Sequence, residues 1–263
     1  MQFDFGKNWK EFSEKKLTSE RIAQAETHFH ELLSGVNLKE KRFLDVGFGQ
    51  GLSLLLAHKA GAVVSGIDVN PTCYDVVEKN KQEMGIDEPI DIRVGSILDD
   101  EIVKDLKKNM FDVVHSWGVL HHTGSMWVAI DNVCSLVRDG GFLIIAIYNK
   151  HWSSPLWKMI KLIYCKSPSF VQKALIWLFF PVIFFAKFLV TGKNPLKMKR
   201  GMDFFYNVVD WVGGYPYEYA SPEEIISYVS SKGYRLVRIS PSCVPTGCNE
   251  YIFCRLSNSS LGD

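Results

Sequence analysis

An α/β fold, a parallel sheet covered by helices, follows from three observations. Short aliphatic or β-branched runs alternate with longer amphipathic segments from Arg42 to Tyr148. The short runs are apolar almost throughout, as strands buried on both faces must be. The first run ends in glycines and leads directly into a helical pattern.

The strands are expected at 42–47, 62–68, 90–96, 111–116 and 141–148. Between them LSLLLAHKA, PTCYDVVEKNKQEM, DDEIVKDLKKN and MWVAIDNVCSLV carry apolar residues at three- and four-residue spacing and read as crossover helices. Ahead of the sheet, a Thr18 or Ser19 cap and the stripe Ile22, Ala25, Phe29 and Leu32 predict an N-terminal helix. The alternation stops after the fifth strand. It resumes with a capped helix at 221–233 and two strands, YRLVRIS and EYIFCRL, that can pair as a hairpin. SPSCVPTGCN between them is too long and proline-broken for a tight turn and reads as a functional loop at one sheet end. The organisation expected is an N-terminal segment at 1–40, a core at 41–150, an insert at 151–220 and a closing helix and hairpin at 221–263.

Composition narrows the class. Of 263 residues 47% are hydrophobic and 22% charged, which excludes wholesale disorder, collagen and coiled coil. A net charge of +1 gives no global attraction to nucleic acid. Six cysteines occur without a C-x-x-C pair, so neither a metal site nor a disulfide framework is expected. The first sixteen residues lack the apolar core of a secretory signal, and a cytoplasmic place is expected.

The chemistry starts at Asp45-Val46-Gly47-Phe48-Gly49-Gln50-Gly51. Glycines there let the backbone turn tightly and come close to a ligand. A dinucleotide loop would need a glycine at 52, where Leu52 stands, so pyrophosphate is disfavoured. Asp68 ends the second strand, where a carboxylate can accept both hydroxyls of a ribose. Asp45 would repel phosphate and hold an ammonium group, and adenosine joined to an amino acid is S-adenosylmethionine (SAM).

On D-V-G-F-G-Q-G, G-I-D-V-N, V-G-S-I-L-D, F-D-V-V-H-S-W-G-V-L-H-H-T and L-V-R-D-G-G-F-L-I-I-A-I-Y, residues 40 to 150 resemble class I SAM-dependent methyltransferases. The resemblance implies a Rossmann-like seven-stranded sheet with the insert between strands five and six. It implies SAM as donor and S-adenosylhomocysteine (SAH) as product. Asp45, Gly47, Phe48, Gly49, Gly51, Asp68 and Val69 would serve the donor, with Ser96 and Ile97 bracketing adenine and Ser116, Trp117 and Gly118 lining the methionine arm. Ser96 departs from the acid that many members carry there. The G-K-N-W-K-E-F-S, R-G-M-D, D-W-V-G-G-Y-P-Y-E and G-C-N-E strings are similar to a bacterial subgroup described by analogy to ubiquinone-type O-methyltransferases. In that pattern Asn8, Trp9 and Phe12 fold over the donor, making 1–40 a lid. His122 matches the histidine of an L-H-H pattern, and with His121 is the candidate base for a hydroxyl acceptor. Tyr148, Arg200 and Asn249 are the other candidates to hold an acceptor. An Arg200 clamp with the insert lysines would favour a carboxylate, and a basic His122 a hydroxyl, on a small-molecule, lipid-like or peptide acceptor. A non-catalytic SAM-binding scaffold docking through the insert is the alternative.

Between Trp152 and Arg200 there is no Asp or Glu, and Ala174 to Ala186 is thirteen residues without a polar side chain, interrupted by Pro181. That is short of the ~18 apolar residues that span a bilayer. The stretch reads as a peripheral membrane contact at the inner surface, a substrate lid, or a buried or dimer-forming helix pair. Oligomeric state is not legible.

Overall fold

A computed structural model describes residues 2–196 and 203–257. Its strands are β1 (Arg42–Val46), β2 (Val63–Asp68), β3 (Asp91–Val94), β4 (Phe111–Trp117), β5 (Val137–Tyr148), β6 (Tyr234–Ser240) and β7 (Cys248–Arg255). They form one sheet in the order β3-β2-β1-β4-β5-β7-β6, parallel except for β7, which runs antiparallel to both β5 and β6. The helices are α1 (Phe5–Lys16), α2 (Ser19–Leu32), α3 (Leu52–Lys59), α4 (Pro71–Glu83), α5 (Asp100–Lys107), α6 (Met126–Leu136), α7 (Ser154–Lys166), α8 (Ser169–Thr191), α9 (Phe204–Gly213) and α10 (Pro222–Ser230).

Local chemistry sets the helix starts. Thr18 caps α2, Asn70 caps α4 ahead of Pro71, and Asp99 caps α5. Ser221 and Glu224 form a reciprocal capping box on α10. One sheet face packs under α5, α6 and α10 around Val114, Ile130, Leu143 and Tyr251, all essentially inaccessible to solvent. The other packs under α2 and α3 around Phe29, Phe43, Leu55 and Ile144. The insert carries a small core of its own, with Tyr164, Ile176, Phe204, Val208 and Val212 joining α7, α8 and α9.

Three features differ from the sequence expectation. First, the N-terminal segment holds two helices, α1 lying ahead of the expected one. Second, β5 begins at Val137 because a register shift against β4 lets Arg138, Asp139 and Gly140 stand out, exposed, from the ladder. Third, Pro181 does not interrupt the apolar run: α8 continues through it for 23 residues. Proline removes one helical hydrogen bond, but Phe180 and Phe184, on either side, both pack against Phe204 at 5.0 and 5.9 Å and hold the helix to α9. Among the described residues α8 is the helix long and apolar enough to cross a bilayer.

Helix α1 ties the core to the insert. Ser13 Oγ donates to Asn80 Oδ1 of α4 at 2.6 Å, and Asn8 Nδ2 donates to Asp210 Oδ1 of α9 at 2.6 Å. Asn80, fully buried, in turn donates to the Gln50 carbonyl of the glycine turn at 2.8 Å. Replacing Asn80 with Ala strands that buried carbonyl and the Ser13 hydroxyl. Asn80→Ala is therefore expected to lower unfolding free energy by roughly 1–3 kcal/mol in a urea titration, while Asn37→Ala, on an exposed turn, stays near wild type.

Candidate active site

Parallel strands present their carboxyl ends on one edge of the sheet, and the turns leaving them enclose a cavity of about 1480 Å³. Pockets that hold a single drug-sized ligand measure ~300–1,000 Å³, so the space has room for two molecules.

Its first end is the turn after β1. Gly47 has φ +75°, and a Cβ there would lie 2.4 Å from Val119. Gly49 N donates to Asp68 Oδ2 at 2.9 Å and Asn70 N donates to Oδ1 at 2.8 Å, so the backbone fixes the carboxylate at the end of β2. The carboxylate also accepts from the Cys73 thiol and keeps acceptor capacity for a ligand hydroxyl. Burial pushes the Asp68 carboxyl above its usual range, and the Asn70 and Gly49 amides and the Cys73 thiol oppose the shift. Trp9 of α1 covers the turn: a Cβ on Gly49 would meet its indole nitrogen at 3.0 Å. Gly95, Ser96 and Ile97, after β3, line the adjoining wall.

Register explains the floor. Asp45 on β1 is paired with His115 on β4, and the His115 Nδ1 lies 2.8 Å from Asp45 Oδ1 with both side chains buried. Trp117 and Glu250 are both register partners of Ala146, on its two sides. Because Ala146 is small, Trp117 Nε1 donates across it to Glu250 Oε1 at 3.0 Å, with His28 Nε2 at 3.4 Å from the same oxygen.

The second end lies where β4 and β5 run out against the insert. The Leu120–His122 3₁₀ turn brings His122 to the cavity, and its Nδ1 lies 2.6 Å from the Pro216 carbonyl. A carbonyl only accepts, so Nδ1 carries the proton and Nε2 keeps its lone pair. Burial, with the charge of Lys161 second, pulls His122 down to about 3, so it stays neutral. A base titrating near neutral pH, expected from sequence, is therefore not what burial makes of His122. Burial shifts Asp210 in the opposite direction, up to about 7, against the Asn8 hydrogen bond and the Lys161 charge. Burial likewise draws Lys161 down to about 7, against the pull of Asp210. Its Nζ hydrogen-bonds the Trp211 carbonyl and lies 4.4 and 4.8 Å from the Trp211 and Tyr217 rings. Tyr148 lines the cavity with its phenol pushed well above the usual range by burial.

Of the residues predicted from sequence, Trp9, Asp45, Gly47, Phe48, Gly49, Asp68, Val69, Ser96, Ile97, Trp117, Gly118, His122 and Tyr148 line this cavity together. Four others do not line it. Gly51 starts α3 with φ +77°. Ser116 donates to the Val46 carbonyl at 2.9 Å. His121 is inaccessible and accepts from Tyr148 N at 3.3 Å. Asn249 accepts from Ser242 N and donates to Asn149 Oδ1, bracing the loop before β7. Arg200 lies outside the described residues. The loop 240–248 does border the cavity, as its proline-broken length suggested. Sequence reasoning missed His28, which α2 brings to Glu250, and the pairing of His115 with Asp45, which strand register sets; it also missed Asp210 as a titrating group, since no motif marks its burial.

The strand order with its antiparallel β7, and a cavity above a glycine turn and a β2 acid, define the class I methyltransferase architecture. The chain belongs to the methyltransferase domain family, whose model matches residues 17–180. A ubiquinone biosynthesis O-methyltransferase from Coxiella burnetii is 27% identical over 125 residues, covering 48% of this chain and 51% of the relative. The chain thus matches about half the length of that relative. A protein of the same description from Pelagibacter ubique is 28% identical over 186 residues, covering 66% and 68%. Among solved structures, the magnesium protoporphyrin IX methyltransferase from Synechocystis PCC 6803 with bound SAH has the same fold, with TM-score 0.55 at 15% identity over 93% of this chain and 87% of that one.

Gly47→Ala adds both a left-handed alanine and a contact with Val119. A loss of roughly 1–3 kcal/mol in chemical unfolding is expected, and the double variant Gly47→Ala/Val119→Ala recovers the steric part but not the backbone part.

Proposed function

We propose that the protein is a SAM-dependent O-methyltransferase acting on a hydroxyl of a small, largely apolar acceptor. The observation that carries this reading is one continuous cavity joining the glycine turn and Asp68 to His122, Tyr148 and Asp210.

The donor end fits SAM. Gly47 and Gly49 leave no side chain between backbone and ligand, and Asp68, fixed by Gly49 N and Asn70 N, is placed to accept from a ribose hydroxyl. Asp45, with one oxygen already close to His115, sets a negative charge on the floor that favours an ammonium group over phosphate. Ser96 and Ile97 would flank adenine, and Trp117 and Gly118 the methionine arm. When bound, SAM supplies a methyl group on a positively charged sulfur, already activated for displacement.

The chain's own part is alignment, water exclusion and removal of one proton. Trp157, Trp211 and Phe5 give the acceptor end apolar walls. Neutral His122 offers Nε2 as a hydrogen-bond acceptor that orients a hydroxyl. Asp210, titrating near 7, is matched to take the proton as the oxygen becomes an ether. A carboxylate acceptor would need no such base and would face Asp210 with like charge.

Two measurements test this. Calorimetry with SAH is expected to show micromolar binding to wild type, lost in Asp68→Ala; no binding to folded wild type sinks the reading. Methyl-transfer rates on a panel of phenols, alcohols and carboxylic acids are then measured against pH. Activity should rise with pH through about 7 as Asp210 loses its proton, and level off above. Asp210→Asn should remove that rise and slow turnover about 100-fold or more. His122→Ala should leave the pH dependence in place, because His122 is already neutral across that range.

A further inference from the structure

We infer that α8 is a docking element for an anionic bilayer surface, lying in the plane of the interface. The inference does not rest on the methyltransferase reading.

The helix has two apolar faces. One, with Ile176, Phe180 and Phe184, packs on α9. The other is uncovered: Phe170, Ala174, Trp177, Pro181, Phe185 and Phe188 recur every three or four residues and are all exposed, Trp177 at 68%. That stripe is ~27 Å long at helical rise. Leu178, Val182 and Leu189 widen it, Leu189 being 79% exposed. Leu156, Met159 and Ile163 on α7 are exposed as well. Single exposed apolar residues need no explanation, but a continuous stripe of this length marks an interaction surface.

Charge selects the partner. No Asp or Glu occurs between Trp152 and Arg200, while Lys158 and Lys166 on α7, Lys173 on α8 and Lys193 just after it are exposed. This positive charge is drawn to anionic headgroups and repels its own copy across a two-fold contact. Tryptophan and phenylalanine together with lysine are the composition of an interfacial helix. Spanning is disfavoured despite the length of α8. Lys173 and Lys187 stand ~21 Å apart along the helix, less than the ~30 Å hydrocarbon thickness, so insertion would bury at least one of them. Insertion would also strip α8 from Phe204. Ile183, Ala186 and Val190 of the same helix line the cavity, so the docked surface adjoins its wall.

The test is co-sedimentation of the full chain with phosphatidylcholine vesicles, with and without phosphatidylglycerol. Wild type is expected to pellet with the anionic vesicles and to be released by high salt. Leu178→Glu/Phe185→Glu should weaken partitioning about tenfold or more, since each site loses the burial of a large apolar side chain. Lys166→Glu/Lys173→Glu should weaken it comparably. Unchanged SAH calorimetry or circular dichroism shows that each variant is folded, and vesicle binding is read whether or not the protein transfers methyl groups. Three outcomes overturn the inference: wild type remaining in the supernatant at low salt, resistance to alkaline carbonate extraction, which means spanning, or a dimer that dissociates in Leu178→Glu/Phe185→Glu, which means a second copy covers the stripe.

Discussion

The site depends on one short helix that bridges the sheet and the insert across the cavity, adding to the direct contacts His122–Pro216 and Tyr148–Trp211. The sheet supplies the glycine turn and Asp68, while the insert, with its own small core, supplies Asp210 and Trp211. Helix α1 spans them through Asn8 to Asp210 and Ser13 to Asn80, with Trp9 over Gly49. Both hydrogen bonds are short and at least partly shielded from water, where such bonds are strongest and their loss costs most.

Burial then does the chemical tuning. At the acceptor end the same desolvation draws a histidine down to about 3, a lysine down to about 7 and a carboxyl up to about 7. Each group moves toward its neutral form because charge is expensive in an apolar wall. The groups that result, a neutral hydrogen-bond acceptor and a carboxyl poised near physiological pH, are the pair that the proposed reaction on a hydroxyl uses. At the donor end, by contrast, backbone amides hold Asp68 against the shift that burial imposes. Aromatic packing around Tyr148, with His121 at 4.0 Å and Trp211 at 5.4 Å, keeps water out where it would raise the dielectric.

Much of the sheet was legible because buried parallel strands announce themselves as apolar runs, and the glycine turn because few residues tolerate its backbone. The edges were less so. Helix α1 escaped because its apolar residues face two partners, α4 and α9, rather than one core, which blurs helical periodicity. Pro181 was misleading because tertiary packing of Phe180 and Phe184 outweighs a lost hydrogen bond, a cost that sequence weighs alone. The partners of His115 and Glu250 were invisible for a different reason: each pairing is set only through strand register, Asp45 opposite His115 and Trp117 reaching Glu250 across Ala146. Likewise His121 and His122 are identical neighbours in sequence, yet the 3₁₀ turn sends one into the core and one to the cavity.

A cavity shared by donor turn, α1 bridge and insert has a direct signature in solution. Amide hydrogen exchange of the full chain, with and without SAH, reads which backbone segments the ligand steadies. Protection is expected at residues 46–51 and 68–73, and across α1, because Trp9 closes over the turn that binds. Protection of the turn without α1 would contradict that bridge, and protection of neither would contradict the donor site itself.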